Sequence, residues 1–436
     1  MKKLDRRTFL GSAAATGSLA TLAGSIGFPS PAITQGKPSK ITIVSHRVHR
    51  ATSVEGAGGD ITSEWRAHNG VELEWVTLDL NGIHDRAFRE ASLGSTEVGL
   101  SFVLNARAVP DAIRLFTPLD DFQAAEPIED IGDISKGMID TFSLGGTMYG
   151  IPFRQAVNAF HYNTALMDEV GMSAPPSSIE DFHEAARKLT FTSTRGDKVN
   201  GWGFQADNYS DHVRLARALG GDFIDENYAC HADGAGFIDS LRLTRQMYKE
   251  GLIPQNITAM KQADVITLMQ TGRLAMSVFP FGRTKIFNKP GDSAYPGKFE
   301  VALPLASKDM VANGQVLSTA EFWGMMIPAK YPHKELVWSL MQEMSTKENT
   351  VRSTLNGNGP VRASAYADER IKSGVPYAEL EALALTHARV PMPAFEKAAE
   401  AKDIFIEEMQ ASLLGFKSPE DAGNEMAARI RKLLPT

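Results

Sequence analysis

Short apolar blocks separated by polar and glycine-containing stretches recur along most of the chain, and their spacing switches between periods of two and of three to four. Ile41 to Ser45 reads as a first buried strand, Val71 to Leu78 as a second and Glu97 to Leu104 as a third. Between them the spacing predicts a helix from Gly59 or Asp60 to about Asn69 and a short one over Asp85 to Ser92. His46 to Gly59, with its arginines, histidines and glycines, reads as a loop at the end of the first strand. Strands alternating with helices predict an α/β lobe with a largely parallel sheet.

The stretch from Gly146 to Thr190 is the most structured in pattern. Gly145, Gly146 and Gly150 mark a tight turn, and Pro152 pushes Ile151 towards extended geometry. Arg154, Gln155 and Asn158 then interrupt the strand with polar side chains before Ala159 to Tyr162 resumes it. Asn163 or Thr164 caps a helix over Ala165 to Val170, which Gly171 closes; Ser177 or Ser178 caps another over Ile179 to Leu189. Further on, Val199 to Ala206 and Leu274 to Phe279 read as strands. Asp211 to Leu219, Ala235 to Glu250, Thr258 to Thr271, Lys334 to Lys347, Ala394 to Leu414 and Pro419 to Leu434 read as helices.

Composition narrows the class. A chain of 436 residues is too long for one compact core and implies about two domains. Lys2, Lys3, Arg6 and Arg7 precede a weakly hydrophobic run of small residues from Ala13 to Phe28, the pattern of an export signal over residues 1–32. The arginine pair followed by Thr8-Phe9-Leu10 resembles a twin-arginine signal. The net charge is −7, and loss of that basic segment leaves about −10, a balance that argues against nucleic-acid binding. With Cys230 as the one cysteine, neither an internal disulfide nor a lipid-anchoring cysteine near the signal's end is available, so a soluble periplasmic protein is expected.

Reaction chemistry is thinly represented. The sequence holds no Gly-x-Ser-x-Gly elbow, no His-Glu-x-x-His and no phosphate-cradling Gly-x-x-x-x-Gly-Lys. His46 and His49 have no further metal ligands grouped with them, and Asp120-Asp121 and Glu180-Asp181 stand where helix starts explain them. No catalytic residue, metal or cofactor is expected.

Tyr149-Gly150-Ile151-Pro152, Tyr162-Asn163, Gly171, Pro175-Pro176 and Glu180-Asp181 form an ordered series that resembles the bacterial extracellular solute-binding proteins, the family that includes maltose- and glycerol-phosphate-binding proteins. Phe116-Thr117-Pro118-Leu119-Asp120, Gly201-Trp202-Gly203-Phe204 and Gly272-Arg273-Leu274-Ala275-Met276 extend the resemblance over nearly all of the chain beyond the signal.

The resemblance implies a two-lobed periplasmic-binding-protein fold of class II, with mainly parallel sheets flanked by helices and a ligand cleft between lobes. The first lobe is expected over 37–153 and 326–360 and the second over 156–320 and 361–436, with hinges near 153–158, 319–325 and 357–362. It also implies a monomer that hands a sugar, polyol or glycoside to the membrane permease of an ATP-driven (ABC) importer.

Candidate ligand contacts follow strand ends and crossings: Arg47, His49 and Asn105 on the first lobe, Arg154 and Gln155 at the first crossing, and Asn208 and Tyr209 on the second lobe. Glu321 and Trp323 lie at the second crossing and Arg362 at the third. Phe281 and Arg283 occupy the turn where the family often carries a sugar-stacking tryptophan. That departure, with Arg47, Arg154, Arg283 and Arg362 near strand ends, leaves open a phosphorylated, sulfonated or carboxylated sugar. An exported cofactor-dependent enzyme is the alternative of a different class, and a chemoreceptor-facing sensor would use the same fold.

Overall fold

The computed structural model describes residues 36–315 and 317–435, and the expected export signal lies outside them. Strands β1 (Lys40–His46), β2 (Glu72–Leu78) and β3 (Val98–Leu104) are followed by a separate hairpin of β4 (Ser143–Leu144) and β5 (Thr147–Met148). Then come β6 (Ile151–Asn163), β7 (Phe191–Thr192), β8 (Lys198–Trp202), β9 (Leu274–Pro280), β10 (Phe299–Ala302), β11 (Ser318–Met326) and β12 (Ala388–Arg389). The main sheet runs in the order β2-β1-β3-β11-β6-β9-β8-β7, with β10 beside β6 and β12 beside β11. Pairing is parallel between β1 and β2, β1 and β3, and β8 and β9, and antiparallel where β11 and β6 cross the middle.

β6 exchanges neighbours along its length. Ile151 to Val157 pair with β11, whereas Asn158 to Tyr162 pair with β9. All thirteen of its residues are buried, and the polar interruption expected at Arg154 to Asn158 is absent: the strand is continuous. Each polar side chain there finds a partner, so none has to reach water. Gln155 Oε1 accepts from Val157 N–H at 2.6 Å and its amide nitrogen donates to Tyr366 Oη at 3.1 Å. Asn158 donates to Thr319 Oγ1 at 2.8 Å, and His161 Nε2 meets Phe279 O at 3.1 Å. Buried polar groups with partners do not break a strand; unpartnered ones would.

Two apolar cores lie on either side of that exchange. One gathers Ile41, Ile43, Leu100, Phe102, Trp323 and Trp338; the other gathers Phe160, Phe182, Trp202, Leu274, Met276 and Phe279. Around the second, Phe160, Phe182 and Trp202 stack and cross edge to face, with Trp202 and Phe182 centroids 4.8 Å apart. A helical cluster about Phe223, Phe237 and Phe405 joins the C-terminal helices Ala398–Leu414 and Pro419–Ile430 to the helix Ala235–Lys249. Among the described residues no helix is long and apolar enough to cross a membrane.

Several elements differ from expectation for local reasons. His46 to Gly59 is not all loop: Arg47–Val54 is helical, because His46 Nδ1 accepts from Val48 N–H and His49 Nδ1 accepts from His46 N–H. Histidine supplies here the cap usually supplied by Ser, Thr or Asp. The second helix begins at Leu80 rather than Asp85, since Asp79 accepts from Gly82 N–H at 2.8 Å. Ile257–Ala259 forms a separate tight turn, so the following helix runs only from Gln262 to Gln270. The expected strand over Val199 to Ala206 spans Lys198–Trp202, and Phe204 and Ala206 remain buried beyond it.

The segment Asn356 to Gly359 is pinned against β6: Gln155 N–H donates to Gly359 O at 3.0 Å, and a β-carbon at Gly359 would lie 2.1 Å from Gln155 O. Neither backbone can yield cheaply. Gly359→Ala is therefore expected to lower unfolding free energy by about 1–3 kcal/mol, read from urea denaturation; an unchanged midpoint would show that the two segments are not in contact.

Candidate ligand-binding site

Two cavities meet at His46, Arg47, Gln262 and Ala263, one of about 210 Å³ and the other of about 360 Å³. The smaller is lined by Asp79, His84, Arg107, Gln205, Asn208, Tyr209, Glu321 and Lys402; the larger by Arg154, Arg283, Lys285, Asn356 and Gly357. The first turns of the helices Arg47–Val54, Leu80–Ser92, Tyr209–Ala218, Gln262–Gln270 and Ala398–Leu414 all reach these walls. Helix starts present backbone N–H groups and partial positive charge.

In the smaller cavity, acceptors and donors are mixed. Burial raises the Glu321 carboxyl to about 7, with Asp211 nearby adding to the rise and Lys402 opposing it. Tyr209 has a buried hydroxyl without a hydrogen-bond partner, and burial pushes its pKa far up, so it stays a neutral donor. Asn208 caps its helix by accepting from Ser210 N–H. Gln262 donates to Gln205 Oε1 at 2.8 Å, which ties the helix Gln262–Gln270 to the loop after β8. His84 accepts from Leu104 N–H at 3.1 Å through Nε2, so its proton sits on Nδ1, 2.9 Å from Leu80 O. Burial lowers the His84 pKa to about 3.

The larger cavity is cationic. Arg154 and Arg283 are 3% and 8% exposed, and neither forms an ion pair among the described residues. Burial first, and then repulsion from Arg154 and Arg47, lower Arg283 to about 9. Burial likewise brings Arg154 to about 10, against the pull of Glu381 and Tyr377. Arg154 Nη1 donates to Asn358 Oδ1 at 3.1 Å, and Arg283 Nη2 to Gln262 Oε1 at 3.2 Å. His46 is held neutral, its pKa near 3, by burial first and then by Arg283, Arg154 and Arg47. Because its Nδ1 accepts from Val48, the proton resides on Nε2.

Of the residues expected from the sequence, Arg47, Arg154, Asn208, Tyr209, Arg283 and Glu321 line the joined cavities. Six others do not. His49 is fully buried, stacked on Phe102 at 4.4 Å and edge-on to Trp323. Asn105 uses Oδ1 to accept from Phe322 N–H, and Gln155 is spent on Val157 and Tyr366. Phe281 packs on Tyr377 in a separate core cluster. Trp323 belongs to the first core, its ring parallel to His84 at 5.5 Å. Arg362 is enclosed: Nε and Nη2 donate to Ser345 O, Nη2 also to Glu129 O, and Nη1 to Asp130 O.

The sequence reading passed over Gln205, Gln262, Asp79 and Arg107 as contacts. Asp79 and Gln262 sit at helix starts, which helix-capping patterns would have flagged; Gln205 and Arg107 each stand three residues beyond the end of a strand, Lys198–Trp202 and Val98–Leu104.

A cleft of this kind, walled by side chains from both halves of a sheet, has relatives. Residues 54–351 match the model of the bacterial extracellular solute-binding protein family. The chain belongs to that family. A putative binding protein of Brucella abortus (strain 2308) is 24% identical over 390 residues, covering 86% of this chain and 89% of its own length. Among solved structures, maltose-bound MalE3 of T. maritima superposes with a TM-score of 0.78 at 18% identity, covering 91% of this chain and 100% of that one. A ribitol complex of an ABC transporter solute-binding protein from Agrobacterium radiobacter K84 gives 0.77 at 18% identity, with 91% and 100% covered. The two-lobed α/β architecture and the family expected from the sequence are thus met; the structural likenesses speak to the fold alone.

Behind Arg154, Glu381 is 2% exposed and burial raises its carboxyl from the ordinary 4.5 to about 7, while Gln155, Tyr366 and Arg154 oppose the rise. The folded chain therefore binds more protons at this site than the unfolded chain between those values, so the contribution is full below about pH 4.5 and falls as pH rises through 7. Glu381→Gln removes that loss. The variant's advantage in unfolding free energy should grow by up to about 3 kcal/mol between pH 4.5 and 8, as measured by denaturant titration at each pH; a constant difference would mean that Glu381 ionises normally.

Proposed function

We propose that this protein is the substrate-binding component of an ABC importer, exported to the periplasm, that captures a sugar, polyol or glycoside in the cleft and delivers it to a membrane permease. The observation that carries the reading is the joined cavity itself, whose lining comes from elements on both sides of the neighbour exchange in β6 and offers both donors and acceptors. Asn208, Gln205, Gln262, Tyr209 and Glu321 provide what hydroxyls need. Binding of this kind requires no reaction chemistry, and the protein acts as a monomeric carrier rather than an enzyme.

The mechanism follows from differential contact. Ligand bound first to one wall gains further hydrogen bonds when the other approaches, so the closed form is favoured by exactly the affinity difference between the two forms. The lobes lie over 37–153 with 326–360 and over 156–320 with 361–436, and movement is taken up near 153–158, 319–325 and 357–362. In support, β6 changes its partner at Val157 and Asn158, and Asn356 to Gly359 packs beside it. The closed pair of lobes then presents a surface to the permease.

Calorimetric titration with a panel of monosaccharides, disaccharides and polyols is expected to yield at least one saturable ligand, with a smaller radius of gyration in solution scattering once it binds. Glu321→Ala should weaken that ligand by about tenfold or more through loss of a buried hydrogen-bond partner. Binding of amino acids or peptides in the absence of any sugar or polyol response would overturn the ligand class.

A further inference from the structure

The larger cavity holds a concentration of positive charge that the fold does not use. Arg154, Arg283, Arg47 and Lys285 line it, and no carboxylate does. Among the described residues none of the four forms an ion pair, although the chain as a whole is acidic. A buried guanidinium without a counter-charge is costly, and structural arginines elsewhere in the molecule avoid that cost. Arg362 gives every nitrogen a carbonyl partner and has Asp133 at 3.6 Å; Arg217 donates to Asp222 at 2.8 Å and to Val390 O at 3.0 Å.

Arg283 contrasts with both in having no carboxylate beside it: its Nη2 meets an amide oxygen, and its buried Nε, like Nη1 of Arg217, has no hydrogen-bond partner. Arg154 places only Nη1 on protein oxygens, those of Asn358 and Gly357. The surrounding backbone is close-packed rather than incidental: a β-carbon at Gly282 would stand 2.3 Å from Gly357 O, so the Arg283 turn and the Gly357 turn touch directly. Lys285 Nζ donates to Leu355 O at 3.0 Å on the same wall. The site is built, buried on two of its four cations, and short of negative charge.

We propose that the ligand carries an anionic group, a phosphate or a carboxylate, which seats between Arg154 and Arg283 in the larger cavity while its hydroxylated part extends past His46 and Gln262 towards Asn208 and Glu321. Planar guanidiniums suit oxyanions through paired N–H donors, and the free Nε of Arg283 is such a donor. The neutral His46, with its proton on Nε2, adds an uncharged donor at the junction of the cavities. The hydroxylated half of this proposal rests on the importer reading; the anionic half stands on the arginines.

Matched pairs test it on the full exported chain: glycerol with glycerol 3-phosphate, glucose with glucose 6-phosphate, and galactose with galacturonate, together with inorganic phosphate alone, each titrated calorimetrically at constant ionic strength. The charged member of at least one pair is expected to bind about tenfold or more tightly than its neutral partner, the phosphate and carboxylate arms telling the two anions apart. Arg283→Gln and, separately, Arg154→Gln should abolish that preference, so that the charged and neutral members of a pair bind within about threefold of each other. Arg283→Gln should also raise the thermal midpoint of the ligand-free protein, which a structural arginine would not do. Neutral members that bind as well as charged ones, or a preference that survives both substitutions, overturn the anion site and leave the importer reading standing. A response to phosphate alone that Arg283→Gln removes, without any sugar or polyol binding, upholds the anion site and defeats the sugar reading. Silence in every arm overturns both.

Discussion

The antiparallel crossing of β6 and β11 is the constraint on which everything else depends. Thirteen consecutive residues of β6 are buried, yet four of them are Arg154, Gln155, Asn158 and His161. A strand can carry that much polarity through the interior only when each group is met, and the partners come from every side: Asn358, Tyr366, Thr319 and Phe279 O. Those partners in turn decide where Asn356 to Gly359 and β11 must run. The two cores thus grow from one shared strand, and the cleft opens where that strand passes from one to the other.

The same crossing separates two uses of polarity. On the β6 residues facing the protein, Gln155, Asn158 and His161 each meet a protein partner. Toward the cleft the account stays open: Arg154 and Arg283 are buried with donors to spare, Tyr209 has an unmatched hydroxyl, and Glu321 is driven towards neutrality by its surroundings. Unmatched polar groups are expensive in a core but are what a ligand of matching chemistry completes.

Much of the fold was legible because it rests on local periodicity. The strands at Ile41, Val71 and Glu97, the capped helices after Asn163 and Ser178, and the family itself could be read from spacing and motif order. The apparent break at Arg154 was misleading, since a polar residue in sequence looks the same whether it faces water or a buried partner 200 residues away. Site residues divided along the same line. Arg47 and Asn208 stand at helix starts, where position along the chain predicts exposure to a cleft, and Glu321 lies within β11 at the expected second crossing. Trp323, Phe281 and Arg362 occupy comparable positions, but neighbouring packing turned them inward, and Arg362 spends all its donors on carbonyls that no linear pattern reveals.

The short turn Asn356 to Gly359 has a wider reach than its length suggests. Asn356 accepts from Gly58 N–H and donates to Thr52 O and Gly59 O, Gly357 touches the Gly282 backbone, Asn358 holds Arg154, and Gly359 is bonded to Gln155. Four consecutive residues therefore address three separate segments, two of them bearing the buried arginines. Such a turn behaves as a lever with a common pivot: a pull on either guanidinium is transmitted to the loop after the first helix and to the long strand at once, so occupancy of the cleft and the posture of the crossing cannot vary independently.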